Sequence, residues 1–112
     1  MPAGLKNAVL AAAYVAIAVV SLVPGQYRPS SGVLPGPAEH AAAYLVLGAL
    51  SCLLRPSRLS IGAVTLANLV FAGVLEFLQL FAPGRVAAFG DFAGSATGAI
   101  AGMLAVFLWL RK

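Results

Sequence analysis

The segment "LEFLQLFAPGRVAAFGDFAGSATGAIAG", residues 75–102, ends one apolar run, breaks at Pro83-Gly84 and begins another run. A proline followed by a glycine does not continue a helix, so the break predicts the boundary between two helices. The apolar runs extend outward from it, over residues 59–81 before the break and 91–110 after it. Each is long enough for the roughly 30 Å hydrocarbon core of a bilayer, which takes about 20 residues of helix.

Composition extends this interpretation to the whole chain. Of the 112 residues, 62% are hydrophobic and only 9% are charged, and the mean hydropathy is +0.99, which is outside the averages for soluble domains. Two further apolar runs cover residues 7–23 and 38–54. Irregular backbone exposed to lipid would leave polar groups unsatisfied, so the four runs predict helices. We therefore predict an all-α fold, an integral membrane four-helix bundle, with one domain over residues 1–112 and helices at about 7–23, 38–54, 59–81 and 91–110.

The remaining general features exclude several other classes of protein. The net charge of +4 comes from basic residues placed singly between apolar runs, so we expect no nucleic-acid binding. Lys6 before the first run is also compatible with a signal peptide, but the run is long for one and no Ala-x-Ala cleavage site follows. Cys52 is the only cysteine, so no disulfide can form within the chain. We predict that Cys52 is buried and acts as a small apolar residue.

The distribution of basic residues predicts the orientation of the chain in the membrane. With four spans, the side that holds both termini carries Lys6, Arg55, Arg58, Arg111 and Lys112, and the other side carries Arg28 and Arg85. Lysine and arginine in short loops concentrate on the cytoplasmic side. We therefore predict that both termini are cytoplasmic and that the other side faces outward.

Polar side chains are concentrated on the predicted outer side. The three acidic residues and the only histidine all belong to it, namely Glu39, His40, Glu76 and Asp91. Residues three or four apart share a helix face, and the pairs related in this way are His40 and Tyr44, Glu76 and Gln79, and Asp91 and Ser95. We therefore predict one polar pocket, with His40, Tyr44, Glu76, Gln79, Arg85, Asp91 and Ser95 as its candidate ligand-binding residues.

Several of these residues also have a simpler explanation. Asp91 follows Gly90 at the predicted start of a helix and can act as an N-cap. Arg85 can reach lipid phosphates, and His40 and Tyr44 can lie at the headgroup level. Glu76 is the exception, because a carboxylate about two turns inside Pro83 is costly, by up to about 2.5–3.5 kcal/mol at a membrane centre. It therefore requires a partner or a proton, and the alternative to a functional or site-organising role is a purely structural interhelical hydrogen bond.

Two helix faces predict close packing inside the bundle. In the fourth helix, glycines recur every four residues, at Gly90, Gly94, Gly98 and Gly102. This small-xxx-small spacing allows helices to approach closely in lipid, where van der Waals contacts drive association. In the third helix the face of Glu76 continues inward through Ala72, Asn68 and Thr65, which predicts a polar seam.

The same residues resemble the VanZ-like family of small bacterial membrane proteins. The similarity covers about residues 39–102 and consists of His40, "EFLQ" at 76–79, Pro83 with Arg85, Asp91, and the glycines that follow. Two positions differ from the pattern. Ser95 stands where many members have asparagine, and Pro37 stands where many have lysine, which removes one candidate group for binding an anion.

The resemblance implies a bacterial cytoplasmic-membrane protein, and the family takes its name from a protein linked to resistance against the glycopeptide teicoplanin. No agreed biochemical activity follows from membership. Our leading hypothesis is that the outer-leaflet pocket binds the polar head of an envelope lipid, a lipid-linked cell-wall intermediate or a lipidated glycopeptide antibiotic. Arg85 would contact phosphate or carboxylate, and Glu76, Gln79 and His40 would contact hydroxyl or amide groups.

Two alternatives stay open. The first is a membrane-embedded hydrolase or transferase acting on a lipid-linked substrate, with Glu76 or His40 as general base and Asp91 orienting its partner. No nucleophile stands out, so our expectation is that the protein is not an enzyme. The second is a structural membrane scaffold. One histidine without a recognisable ligand spacing leads us to expect no metal site and no cofactor, and the sequence does not indicate an oligomeric state.

Overall fold

The computed structural model of the protein describes residues 2–22, 36–56, 58–81 and 89–111. Those residues form four helices and contain no strand, which confirms the all-α prediction. The helices are α1 (Ala3–Leu22), α2 (Gly36–Leu53), α3 (Ile61–Leu78), which continues as a 3₁₀ turn over Gln79–Phe81, and α4 (Phe89–Leu110). The predicted proline-rich loop at 24–37 lies mostly outside the described residues, as do Pro83 and Arg85.

Three of the four helices are long and apolar enough to cross a membrane, judged by length and composition. They cover Ala3–Leu22, Ile61–Phe81 and Phe89–Leu110. The apolar part of α2, Ala38–Leu53, is shorter and measures about 24 Å at 1.5 Å per residue. Three of the four predicted spans are therefore helices with the length and composition of a membrane span, and α2, which contacts all three others, is shorter than the bilayer core.

Local interactions explain where the helices begin. The backbone N–H of Lys6 donates to the carbonyl of Pro2, so α1 starts four residues before the predicted position. Ser60 is the N-cap of α3, because its Oγ accepts a hydrogen bond from the N–H of Ala63 at 3.0 Å. The predicted start at Leu59 lies one residue before this cap and two before the first helical residue, Ile61.

Contacts between the helices define an up-and-down bundle. Gln79 of α3 contacts Ser21 of α1, and both residues lie near the C-terminal ends of their helices, so α1 and α3 run in the same direction. His40 and Asp91, near the N-terminal ends of α2 and α4, lie beside Glu76 near the C-terminal end of α3. Helices α2 and α4 therefore run opposite to α1 and α3. We call the end that holds His40, Glu76 and Asp91 the site end and the opposite end the basic end.

Glycines bring α2 and α4 into backbone contact. A Cβ atom on Gly98 would lie 2.2 Å from the carbonyl oxygen of Ala41, and one on Gly102 would lie 2.1 Å from that of Leu45. The contact is reciprocal, since a Cβ on Gly48 would lie 2.2 Å from the carbonyl oxygen of Ala99. Only hydrogen fits at these positions, so Cα–H groups face carbonyl oxygens across the interface. The predicted close packing of the α4 glycine face is confirmed at Gly98 and Gly102, and the neighbour is α2.

A polar network ties the centre of the bundle together. Asn68 of α3 is 1% exposed, and its Nδ2 donates to the Oγ of Ser51 in α2 at 2.8 Å. The hydroxyl of Tyr14 in α1 donates to Oδ1 of the same asparagine. Around this network lie the buried Tyr44, Leu47, Ala72 and Ala99. Cys52 is buried, as predicted.

The outer faces of the helices are apolar. On α3, Leu66, Val70, Val74 and Phe77 follow one another at helical spacing, and all four are about half exposed or more. Patches of this kind are rare on soluble monomers. In a bilayer such a face contacts lipid, which agrees with the length and composition of α3.

Candidate functional site

Three side chains from three helices meet at the site end. His40 lies in α2, Glu76 near the end of α3, and Asp91 in the first turn of α4. One nitrogen of the histidine and one oxygen of each carboxylate all lie within 4.8 Å of one another. Each of the three residues is partly buried. We call these residues the His-Glu-Asp cluster.

The glycine interface sets the spacing of His40 and Asp91. Ala41 directly follows His40, and its carbonyl faces Gly98 across the α2–α4 interface. Gly98 lies two turns after Asp91 on the same helix face. The backbone contact between the two helices therefore fixes the register that brings the imidazole and the carboxylate together.

Asp91 does not cap α4. The helix begins at Phe89, so Asp91 is its third residue and lies within the first turn. The prediction of an N-cap was wrong because the sequence pattern placed the helix start at the first polar residue, whereas Phe89 and Gly90 already have helical conformation. A carboxylate in the first turn still interacts favourably with the positive end of the helix dipole.

Glu76 reaches the cluster because its face of α3 points into the bundle. Ala72 and Gln79, which are four residues before and three residues after it, are both buried. The predicted polar seam through Ala72 and Asn68 is therefore confirmed as an inward face. Glu76 is the outermost ionisable residue of that face among the described residues.

Gln79 has a structural contact. Its side chain is 3% exposed, and its Nε2 donates to the carbonyl oxygen of Ser21 at 2.9 Å. Ser21 is the penultimate residue of α1, where backbone carbonyls lack a partner within the helix. The predicted ligand-binding residue Gln79 thus ties the end of α1 to α3, next to the cluster.

Tyr44 and Ser95 lie deeper than the cluster. Both are buried, and each lies one helical turn from a cluster residue, Tyr44 after His40 and Ser95 after Asp91. Tyr44 packs in the core with Leu47 and Ala99. Their roles as ligand-binding residues stay predictions, as does that of Arg85, which lies outside the described residues.

Exposed aromatic side chains surround the site end. Phe81 is 73% exposed and Phe89 is 81% exposed. The ring of Phe81 packs edge-on against that of Phe77, with centroids 5.7 Å apart, and Phe89 packs against Phe92 at 6.2 Å. Aromatic residues concentrate at membrane–water boundaries. The site end therefore combines a polar interior with an apolar rim.

Among the described residues, the two ends of the bundle carry side chains of opposite charge. Within residues 2–22, 36–56, 58–81 and 89–111, every lysine and arginine lies at the basic end, namely Lys6, Arg55, Arg58 and Arg111. Three of them, Lys6, Arg55 and Arg58, line a cavity of about 420 Å³ together with Asn7. The carboxylates of Glu39, Glu76 and Asp91 all lie at the site end. The described part of the site end thus contains three carboxylates and no lysine or arginine.

The cluster offers donor atoms that metal ions accept. An imidazole nitrogen and two carboxylate oxygens form a mixed N/O set of the kind that binds Zn²⁺ and similar ions. The sequence did not reveal this set, because its members are separated by 36 and 15 residues and share no local motif. Only the packing of α2, α3 and α4 places them together.

Sequence reasoning also missed two members of the central network. Tyr14 and Ser51 each stand in an apolar run, and nothing in their spacing marks them as partners of Asn68. Asn68 was the available signal, since an amide inside a span requires partners on other helices.

Comparisons with protein-family models, with curated proteins and with solved structures give no match to the chain. The resemblance to the VanZ-like family therefore rests on the motif residues alone.

Proposed function

We propose that the chain is an integral membrane protein of the VanZ-like kind whose site end binds the polar head of an envelope lipid. The class includes lipid-linked cell-wall intermediates, which combine an apolar tail with a phosphate-bearing head. The observation that carries this proposal is the convergence of His40, Glu76 and Asp91 from three helices at one end of the bundle.

The arrangement around the cluster supports an amphiphilic ligand. A lipid head needs polar partners, and its chains need an apolar surface directly beside them. The His-Glu-Asp cluster supplies the first, and the exposed rings of Phe77, Phe81 and Phe89 supply the second. The imidazole can donate or accept a hydrogen bond, and the carboxylates accept from hydroxyl and amide groups. Arg85 would add a bidentate contact to phosphate.

The charge distribution supports an outward-facing site. By the positive-inside rule, the end with Lys6, Arg55, Arg58 and Arg111 would face the cytoplasm. Both termini would then be cytoplasmic, and the cluster would lie in the outer leaflet of the bacterial cytoplasmic membrane. Lipids of the outer leaflet present their heads on that side.

Lipid content of the purified protein tests the proposal. Wild-type protein, Glu76→Gln and Asp91→Asn would be extracted in mild detergent, and the bound lipids would be identified by mass spectrometry. Both substitutions keep side-chain size and remove the charge. Glu39→Gln is the matched control, since Glu39 lies at the same end outside the cluster. We expect a selective loss of one lipid class in the two cluster variants and none in the control.

The same experiment addresses the scaffold hypothesis. If all folded variants retain the wild-type lipid content, the binding proposal is wrong; if in addition no form turns over a lipid-linked phosphoester, the polar residues only hold the bundle together. Arg85→Lys provides a further comparison, because lysine keeps the charge but loses the planar fork of donors.

The cluster also favours a second candidate, a hydrolase acting on a lipid-linked phosphoester. A histidine beside two carboxylates is an arrangement in which one group activates water and another orients it. In that case Glu76→Gln would retain bound lipid and abolish turnover of a lipid-linked phosphoester, whereas in a binding protein no turnover would occur in either form.

A further inference from the structure

We propose that His40, Glu76 and Asp91 form a binding site for one divalent transition-metal ion of the Zn²⁺ class, with an open position that accepts a phosphate oxygen. The metal site stands on the cluster geometry alone. The phosphate ligand rests on the proposed function.

The geometry of the cluster is close to that of a metal site. Zn²⁺ ligands lie about 2.1 Å from the ion, so neighbouring donors in a tetrahedral site are about 3.4 Å apart. The three donor atoms lie within 4.8 Å of one another, so the largest closing movement needed is about 1.4 Å. Rotation of three side chains provides a movement of that size without moving the helices.

The backbones that carry the ligands are firmly held. The contact of Ala41 with Gly98 fixes α2 against α4, and the hydrogen bond from Gln79 to Ser21 holds the end of α3. Ligands on fixed helices bind a metal without a cost for ordering loops.

The donor set selects the class of ion. Imidazole nitrogen with carboxylate oxygens suits Zn²⁺, Mn²⁺ and Fe²⁺, whereas Mg²⁺ and Ca²⁺ prefer oxygen ligands alone. Three protein ligands leave at least one coordination position open, which is the arrangement of catalytic and substrate-binding metal sites rather than of closed structural ones.

Electrostatics connects the ion to the proposed ligand. Glu76 and Asp91 would repel a phosphate head, and the described lysines and arginines all lie at the other end of the bundle. A divalent cation balances the two carboxylates and presents a positive centre to the phosphate. The cluster can therefore hold an anionic head through the ion.

The metal alone is the first probe. Tag-free, full-length protein in detergent, stripped of lipid and treated with chelator, would be dialysed against Zn²⁺ and its metal content measured by mass spectrometry. Co²⁺ would then replace Zn²⁺ for visible absorption spectroscopy. We expect one ion per chain and the intense visible bands of four- or five-coordinate Co²⁺ with nitrogen and oxygen ligands. Less than 0.1 ion per chain, or the weak bands of fully hydrated Co²⁺, would overturn the proposal.

Variants then assign the ligands. We expect His40→Gln, Glu76→Gln and Asp91→Asn each to weaken Zn²⁺ binding by at least about 100-fold, and Glu39→Gln to change it by less than about threefold. Circular dichroism and size-exclusion chromatography would establish that each variant is folded. If a cluster variant does not fold, the wild-type Co²⁺ spectrum still tests whether the protein binds the ion through nitrogen and oxygen ligands. Equal weakening in the control would refute the assignment.

Inorganic phosphate and lipid separate the two proposals. Phosphate added to the Co²⁺ form should shift the visible bands, and a spectrum that does not change would refute the open position. If the protein binds the metal but its lipid content does not depend on Glu76, the metal site stands and the lipid function is refuted. If lipid binding depends on Glu76 but is unaffected by chelator, the lipid function stands and the role of a metal in holding the lipid is refuted.

Discussion

Replacement of Gly98 by alanine should weaken the bundle by forcing α2 and α4 apart. The new Cβ would lie 2.2 Å from the carbonyl oxygen of Ala41 and 2.9 Å from its carbonyl carbon. These are backbone atoms, so no side-chain rotation relieves the overlap. Ordinary contact begins at 3.4 Å, and the two backbones must therefore separate by about 1.2 Å at this point.

The expected decrease in the free energy of unfolding follows from the loss of close packing between α2 and α4. A gap of 0.5–1 Å already removes about a quarter to a half of each van der Waals contact, and overpacking of a core typically costs about 1–3 kcal/mol. We expect a decrease in the free energy of unfolding within that range for Gly98→Ala. The same substitution at Gly102 meets Leu45 at 2.1 Å and should cost a similar amount. Because one separation of the helices relieves both clashes, the double variant should cost less than the sum of the two.

A glycine on another face provides the matched control. A Cβ on Gly73 would lie 3.5 Å from Cε1 of Phe92, which is ordinary contact. Gly73→Ala should be neutral or stabilising by up to about 1 kcal/mol, because alanine has the higher helix propensity. Ala105→Leu, at an exposed position of α4, should likewise be tolerated.

The assay is unfolding in mixed micelles, with increasing dodecyl sulfate and circular dichroism as the readout. If Gly98→Ala and Gly73→Ala unfold at the same denaturant fraction, the close backbone contact of α2 with α4 does not contribute to stability and the reasoning is wrong. The contact also sets the register of His40 and Asp91, so Gly98→Ala should weaken Zn²⁺ binding even where the protein stays folded.

Three further predictions concern topology, the central network and the cluster. In a Cys52→Ser background, a membrane-impermeant thiol reagent should label Phe89→Cys in intact cells and not Arg58→Cys, and the opposite pattern would place the site end in the cytoplasm. Asn68→Ala removes two interhelical hydrogen bonds and should cost about 1–2 kcal/mol in the micelle assay, so an unchanged midpoint would show that the network contributes nothing. Without metal, Glu76→Gln should be neutral or stabilising, because it removes a costly charge. With Zn²⁺ at about 100 times its dissociation constant, only the wild type should gain about 2.7 kcal/mol, and an equal gain in the variant would exclude Glu76 as a ligand.

The sequence predicted the helices and their approximate ends because both depend on local physics. Apolar run length decides whether a helix can span a membrane, and the serine, proline and glycine residues at the boundaries limit its extent. The errors in the predicted helix starts also have local causes. Ser60 caps α3 one residue after the predicted start, and α4 begins at Phe89 because an aromatic residue and a glycine are compatible with a first helical turn.

The grouping of polar residues at one end was predictable from alternation alone. Successive spans reverse direction, so His40 near the start of one helix and Glu76 near the end of the next must lie on the same side. The distance between them was not predictable, because it depends on which helices are neighbours. The glycine spacing in α4 indicated a close-packed face, but nothing in the spacing identified α2 as the partner of Gly98.

Burial separates two kinds of polar residue in this bundle. Asn68 lies midway along the helices, where lipid and protein exclude water, and it is 1% exposed with partners on α1 and α2. An amide in that position can be satisfied only by other side chains, and its role is to hold helices together. His40, Glu76 and Asp91 lie at the end of the bundle, and each remains partly accessible. A polar group that only stabilises the fold has no need to stay open to a ligand. Asn68 already ties the helices at their centre, and Gln79 ties α1 to α3 at the site end. The placement of Glu76 beside Asp91 and His40 at this partly accessible end, where two nearby carboxylates repel each other, is therefore the strongest physical reason to look for a cation and its ligand there.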